Sequence, residues 1–271
     1  MGKELVQRLL PVLDKMEWPE SPAITQFGVE TYQMGMDYVD QYDGSLKVLQ
    51  TAIKTFQSGN SRPYALAGVA YLLAQISQDP KQGADPDGLD SAMAWLEKAQ
   101  ADEPDRPDIN FIEAQIYIYR EEMENARLVL DYLQEQDPFS YRIHLTEAIY
   151  WRKLSDLDQM SHFYAEAAKQ ADTVPKRLQL AAQQGEAYFA AGDLRQALKH
   201  FDDAIYFNRE KAILWHRKAL IYWHLKDYPE CKRCNDMTLK LRELPAAKRL
   251  QQELRKKMGT GGLFQRILGE N

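Results

Sequence analysis

The chain has 271 residues, of which 45% are hydrophobic, enough apolar material for a continuous core in one elongated or two compact domains. Its net charge is −6, with Lys and Arg mixed among Asp and Glu, which argues against the dominant basic face of a general nucleic-acid binder. Only two cysteines occur, Cys231 and Cys234, too few for a small disulfide-stapled secreted scaffold.

From the first residue, Met1–Leu5 does not read as a signal peptide, because the nearest apolar run, 9–13, is short and broken by Pro11. Gly2 lacks a myristoylation context, since Val6 stands where Ser or Thr is needed. No stretch approaches the ~18 apolar residues of a membrane span. A cytoplasmic protein without a membrane span is expected. Leu5, Leu9, Leu10, Leu13 and Met16 recur at helical spacing and predict a first helix, kinked or delayed at Pro11. A second helix is predicted over Ile24–Tyr42, a turn at Asp43-Gly44-Ser45, and a third helix from Leu46, Leu49, Ala52, Ile53 and Phe56. Residues 1–60 therefore read as a capping helix followed by a degenerate helical hairpin.

From residue 61 the chain repeats itself with a period near 34 residues. The first copy, 61–106, has Gly68, Tyr71, Leu89, Ala92, Leu96, Ala99 and Pro104. It holds a 12-residue insertion around 77–88, since Gly68 and Ala92 lie 24 apart where other copies have 12. The second, 107–140, has Ala114, Tyr117, Met123, Ala126, Leu130 and Pro138. The third, 141–177, has Ala148, Trp151, Asp156-Leu157, Met160, Tyr164 and Ala167, with three extra residues. The fourth, 178–211, is the clearest: Gly185, Tyr188, Gly192-Asp193-Leu194, Ala197, Phe201 and Ala204. The fifth, 212–244, has Trp215, Ala219, Tyr222, Asp227-Tyr228, Cys231 and Thr238. Pro245 then opens a helix to Met258, with Leu250 and Leu254 facing inward. Gly259–Gly262 reads as a flexible linker within the 259–271 tail. Leu263, Phe264, Ile267 and Leu268 make one apolar side of a short tail helix, expected to dock on the end of its own solenoid or to self-associate through 263–268; a frayed terminus is the alternative.

Close helix packing explains the pattern. Antiparallel helices approach to roughly 8–10 Å only where small residues sit at the crossing. Gly185 and Ala197 supply that, Tyr188 and Phe201 fill the space beside them, and Ala204 lets the next hairpin stack. Small and aromatic residues in this order and spacing resemble the tetratricopeptide repeat family, over roughly 61–242. Departures occur at Gln184 and Lys218, where the family has Leu, and at the late proline, present only as Pro104 and Pro138. The resemblance implies an all-α fold, a right-handed α-solenoid of stacked antiparallel hairpins forming a superhelix, elongated and more than ~60% helical. It also implies a non-catalytic protein-binding scaffold whose first helices line a concave groove.

Carried over position by position, the resemblance assigns groove residues to each hairpin. These are Arg62, Val69 and Leu72; Phe111, Gln115, Ile118 and Tyr119; Arg142, Leu145, Ile149, Arg152 and Lys153; Glu186 and Phe189; and His216, Trp223 and His224. Such a groove suits a peptide or amphipathic helix with hydrophobic anchors and an acidic group facing Arg142, Arg152 and Lys153. Reversing those three charges is expected to weaken binding and spare stability. The alternative is that some of these side chains are core between hairpins. The Lys and Asn with which chaperone-binding members clamp a C-terminal carboxylate are absent, with Ala65, Phe111, Leu145, Ala182 and His216 at one clamp position, so a heat-shock chaperone tail is not the expected partner.

Signals for chemistry are weak. Cys231-x-x-Cys234 has no second pair for zinc, and Cys231 sits at a small packing position. His144, His162, His200, His216 and His224 form no His-x-x-x-His pair. Asp85–Asp90 resembles a calcium loop only until its twelfth position, Leu96, where Glu is needed, so Asp87 or Asp90 reads as a helix cap. No catalytic residue, metal or cofactor is expected. Between Lys240 and Lys257 seven Lys/Arg face two Glu, which keeps two alternatives open: nucleic-acid association through this basic helix, and a regulatory subunit of an enzyme on another chain.

Overall fold

The computed structural model describes the backbone of residues 2–42, 44–79 and 83–268, with side chains through residue 259 except Asp79. The protein is all-α, with helices over 78% of the described residues. It divides into two compact units, residues 1–171 and 172–271.

The first unit contains α1 (Gly2–Leu13), α2 (Gln26–Asp40), α3 (Leu46–Gln57), α4 (Arg62–Ile76), α5 (Pro86–Asp102), α6 (Pro107–Tyr119), α7 (Met123–Gln136), α8 (Tyr141–Lys153) and α9 (Leu157–Lys169). α2 pairs with α3, α4 with α5, α6 with α7 and α8 with α9. Between α4 and α5, β1 (Gln78–Asp79) pairs antiparallel with β2 (Gly83–Ala84), so both ends of the insertion are backbone-bonded. The second unit contains α10 (Val174–Ala190) paired with α11 (Leu194–Phe207), α12 (Ala212–His224) paired with α13 (Tyr228–Leu241), and α14 (Pro245–Leu268) against α13.

Within the first unit, α4 and α6 are apolar nearly all round: α4 buries thirteen of its fifteen residues and α6 nine of its thirteen. Such helices belong between layers, whereas the second helices, such as α3 and α11, are amphipathic and show one face to water. Small residues set the spacing. A Cβ on Gly185 would stand 3.0 Å from the Phe201 ring. The Phe56 ring is held between Gly35 on α2 and Gly68 on α4, and a Cβ on either would overlap it.

The turns repeat as well. Glu121, Ser155, Gly192 and Lys226 all adopt left-handed backbone, φ 64°, 61°, 82° and 61°. The next residue starts the second helix: Asp156, Asp193 and Asp227 each accept a hydrogen bond from a backbone N–H three residues on, at 3.0, 3.0 and 3.2 Å. Glu122, in the same register, makes no such bond, because its longer side chain is poorly suited to the cap. Left-handed backbone costs a side-chain-bearing residue roughly 1–2 kcal/mol. Lys226→Gly removes that strain and loosens the unfolded chain, so a net gain of about 0.5–1 kcal/mol is expected in chemical denaturation.

Two local expectations are corrected. The backbone stays helical from Pro245 to Leu268, so 259–262 lie inside a helix rather than forming a linker; the side chains of the apolar tail at 263–268 lie outside the described residues. α5 begins at Pro86 with Asp85 at the N-cap, making no side-chain cap bond, in place of Asp87 or Asp90. Asp90 instead pairs with Arg120. Asp43, in the predicted turn, lies outside the described residues.

Candidate functional site

In the first unit, most of the residues assigned to an open groove are core. Val69, Leu72, Phe111, Gln115, Ile118, Tyr119, Arg142, Leu145 and Ile149 are all buried. The reason is a polar and aromatic seam that ties α2, α4, α6 and α8 together. Arg142 Nη2 on α8 stands 2.9 Å from Asp40 Oδ2 on α2, and Arg142 Nη1 donates to the Tyr71 hydroxyl on α4 at 3.2 Å. Tyr71 donates to Asp40 Oδ1 at 2.5 Å, and the guanidinium lies over the Tyr71 ring. Burial raises the Tyr71 phenol well above its ordinary pKa, so it stays a neutral donor.

A second row runs alongside. Gln75 Nε2 donates to Gln115 Oε1 at 2.9 Å, and Gln115 Nε2 donates to Thr146 Oγ1 at 3.1 Å. At the other end, the Tyr32 hydroxyl on α2 donates to the Asp108 carbonyl on α6 at 3.2 Å. The cations expected to draw an acidic ligand are thus used differently. Arg142 is buried in an ion pair, Lys153 pairs with Glu121 at 3.3 Å, and Arg152 is half-buried. Arg62 pairs with Asp102 at 3.1 Å.

The second unit treats the same register differently. Phe189 and Trp223 are half-buried and His224 is exposed. Phe189 meets His224 edge-on at 5.6 Å, joining α10 to α12, and Arg217 Nε of α12 donates to Glu186 Oε1 of α10 at 2.5 Å. Leu220 and Trp223 rest against a cluster containing Leu250 and Leu254 of α14. The result is a partly open aromatic face with a charged pair beside it. Arg217 and Asp40 escaped the sequence reading. Arg217 lies outside the groove positions, and Asp40 belongs to the degenerate hairpin, for which no register was assigned.

His216, by contrast, is buried, and its Nδ1 has no hydrogen-bond partner among the described residues. Burial, helped by neighbouring Arg217, pushes its pKa down to about 4. Its folded pKa lies below its unfolded one, so the unfolded chain takes up the proton first. Stability from this group is complete above about pH 6.5 and falls as pH drops toward 4. His216→Gln is expected to flatten the acid limb of stability by about 1–3 kcal/mol, read from denaturation midpoints at pH 7 and pH 4.5.

Cys231 and Cys234 are buried free thiols, and burial pushes Cys231 up to about 12. A protonated, enclosed thiol is a poor nucleophile. Both should resist Ellman's reagent in the native protein and react together in denaturant. Among the described residues no group of three or more His, Cys, Asp or Glu is placed to hold a metal ion, and no helix is long and apolar enough to cross a membrane.

No protein-family model matches the chain, and no curated protein matches it significantly in sequence. Among solved structures it is similar to a tetratricopeptide repeat protein from Parabacteroides merdae ATCC 43184. The two share 16% identity at a TM-score of 0.48, over 86% of this chain and 88% of that one.

Proposed function

We infer that the protein is a non-catalytic interaction scaffold whose second unit holds a peptide or helix of a partner protein against α10 and α12. The observation that carries this reading is the row Phe189, His224 and Trp223, aromatic and incompletely covered, beside the Glu186–Arg217 pair. Aromatic side chains at a partly desolvated face are the usual anchors of protein recognition, because they bury much area at little cost in conformational entropy. The neighbouring ion pair gives a bound segment polar contacts that fix its direction. The partner surface is peptide, with apolar anchors. It is not a chaperone C-terminal tail, since His216 and Leu220 stand where a Lys and Asn clamp would be. The proposed setting is the cytoplasm, where two unpaired thiols remain reduced.

Site-specific photo-crosslinking tests this. A benzophenone amino acid at exposed His224 is expected to yield discrete protein adducts in cells, and the same group at exposed Lys199 on α11 is not. Phe189→Asp should suppress the His224 adducts. Equal adducts from both positions, or adducts that survive Phe189→Asp, would remove the assignment of this face.

A further inference from the structure

The first unit carries a second open surface, formed by its N-terminal helix. α1 buries Leu5, Val6, Leu9 and Leu13 and turns Arg8 and Val12 outward, with Met16 following in the next turn. Across from this row, α3 presents Leu46, Gln50 and Lys54. Between the two rows lies a half-open groove of about 370 Å³, floored by Leu9 and Ile53. Residues 46, 50 and 54 are spaced by four, so one wall is two helical turns of α3, about 12 Å long; the other is the last turn of α1, with Arg8 and Val12, and Met16 in the turn that follows it.

Its chemistry is one-sided. Val12 is 51% exposed although it is apolar, and Met16 and Leu46 are only partly buried. The charged lining residues are Arg8 and Lys54, both cationic, and neither has an ion-pair partner among the described residues. α3 carries Lys47 and Lys54 and no acidic residue at all. A ledge of apolar side chains between two unneutralised cations complements a segment with the opposite arrangement.

The geometry points to this groove as a docking site for an acidic amphipathic helix of a partner protein. Apolar side chains at i, i+4 and i+7 would rest on Val12, Met16 and Leu46, and flanking carboxylates would meet Arg8 and Lys54. A two-turn trough fits a helix laid between two others, and the cations set the sign of its charge. This surface belongs to the first unit and is independent of the aromatic face on α10 and α12.

The test is selection from an unbiased library. Random peptides about four helical turns long, displayed on phage, are panned on the full chain and counter-selected on a Val12→Asp/Lys54→Glu double variant. Both altered side chains are exposed, so an unchanged melting curve should confirm that the variant folds. The enriched peptides should be net acidic with apolar residues at helical spacing. A labelled winner should bind in fluorescence anisotropy, lose at least tenfold in affinity to Lys54→Glu, and weaken with salt. Enrichment of basic or uncharged sequences, no enrichment over the double variant, or affinity indifferent to Lys54→Glu would each overturn the proposal. So would cosedimentation with phosphatidylserine vesicles that the double variant abolishes, if no peptide is enriched: the groove would then serve an anionic lipid.

Discussion

Replacing Arg142 by methionine is expected to lower the stability of the first unit by about 3–5 kcal/mol. The guanidinium is enclosed between Asp40 and Tyr71, and the Asp40 side chain is only 9% exposed. Removing the cation leaves a carboxylate in the core with one hydrogen bond and no counter-charge, which costs more than the pair itself contributes. The companion variant separates these effects. Arg142→Met with Asp40→Leu removes both charges, and it should recover most of the loss. Denaturant midpoints and slopes measure both. A loss below about 1 kcal/mol for the single variant would show that the seam is open to water. Contrary to the expectation from sequence that reversing Arg142, Arg152 and Lys153 would spare stability, the triple reversal is expected to cost it, because Arg142 is buried against Asp40. Reversal at Arg152 and Lys153 alone should, since Lys153 is exposed and Arg152 half-exposed.

Phe56 is the second sensitive point. Truncation to alanine is expected to cost about 3–5 kcal/mol, because the ring is fully enclosed where α2, α3 and α4 meet. Gly68→Ala should cost about 1–3 kcal/mol by the opposite route. The new methyl group would overlap the ring, and the ring cannot retreat because Gly35 presses it from the other side. The two changes are coupled through one space. Gly68→Ala combined with Phe56→Leu should lose clearly less than the sum of the single losses. Strict additivity would mean that the ring is not clamped between the glycines.

The hairpins themselves were legible because their signal is local and repeated. Gly185, Ala197 and Phe201 recur as a set whose spacing only close antiparallel helices explain, and the structure puts the Phe201 ring against Gly185. The left-handed turns were legible once, at Gly192. Glu121, Ser155 and Lys226 take the same backbone under strain and carry no residue-type signature, so only their register identifies them.

The binding face was legible as a set of positions but not as a surface. Period and residue type determine which side of a helix is turned inward; they do not determine whether that side meets a ligand or another helix of the same chain. Arg142 and Trp223 sit at groove positions of their hairpins, and one is sealed by Asp40 from 102 residues away while the other stays half-open. Local sequence dictated the helices, the small-residue crossings and the aspartate caps, because those depend on neighbours within one or two turns. Only the tertiary structure decided that α2 closes over the inner helices of the first unit and that α10 and α12 keep an aromatic face. That outcome depends on charges and rings brought together across four helices, and no periodicity in the chain encodes their meeting.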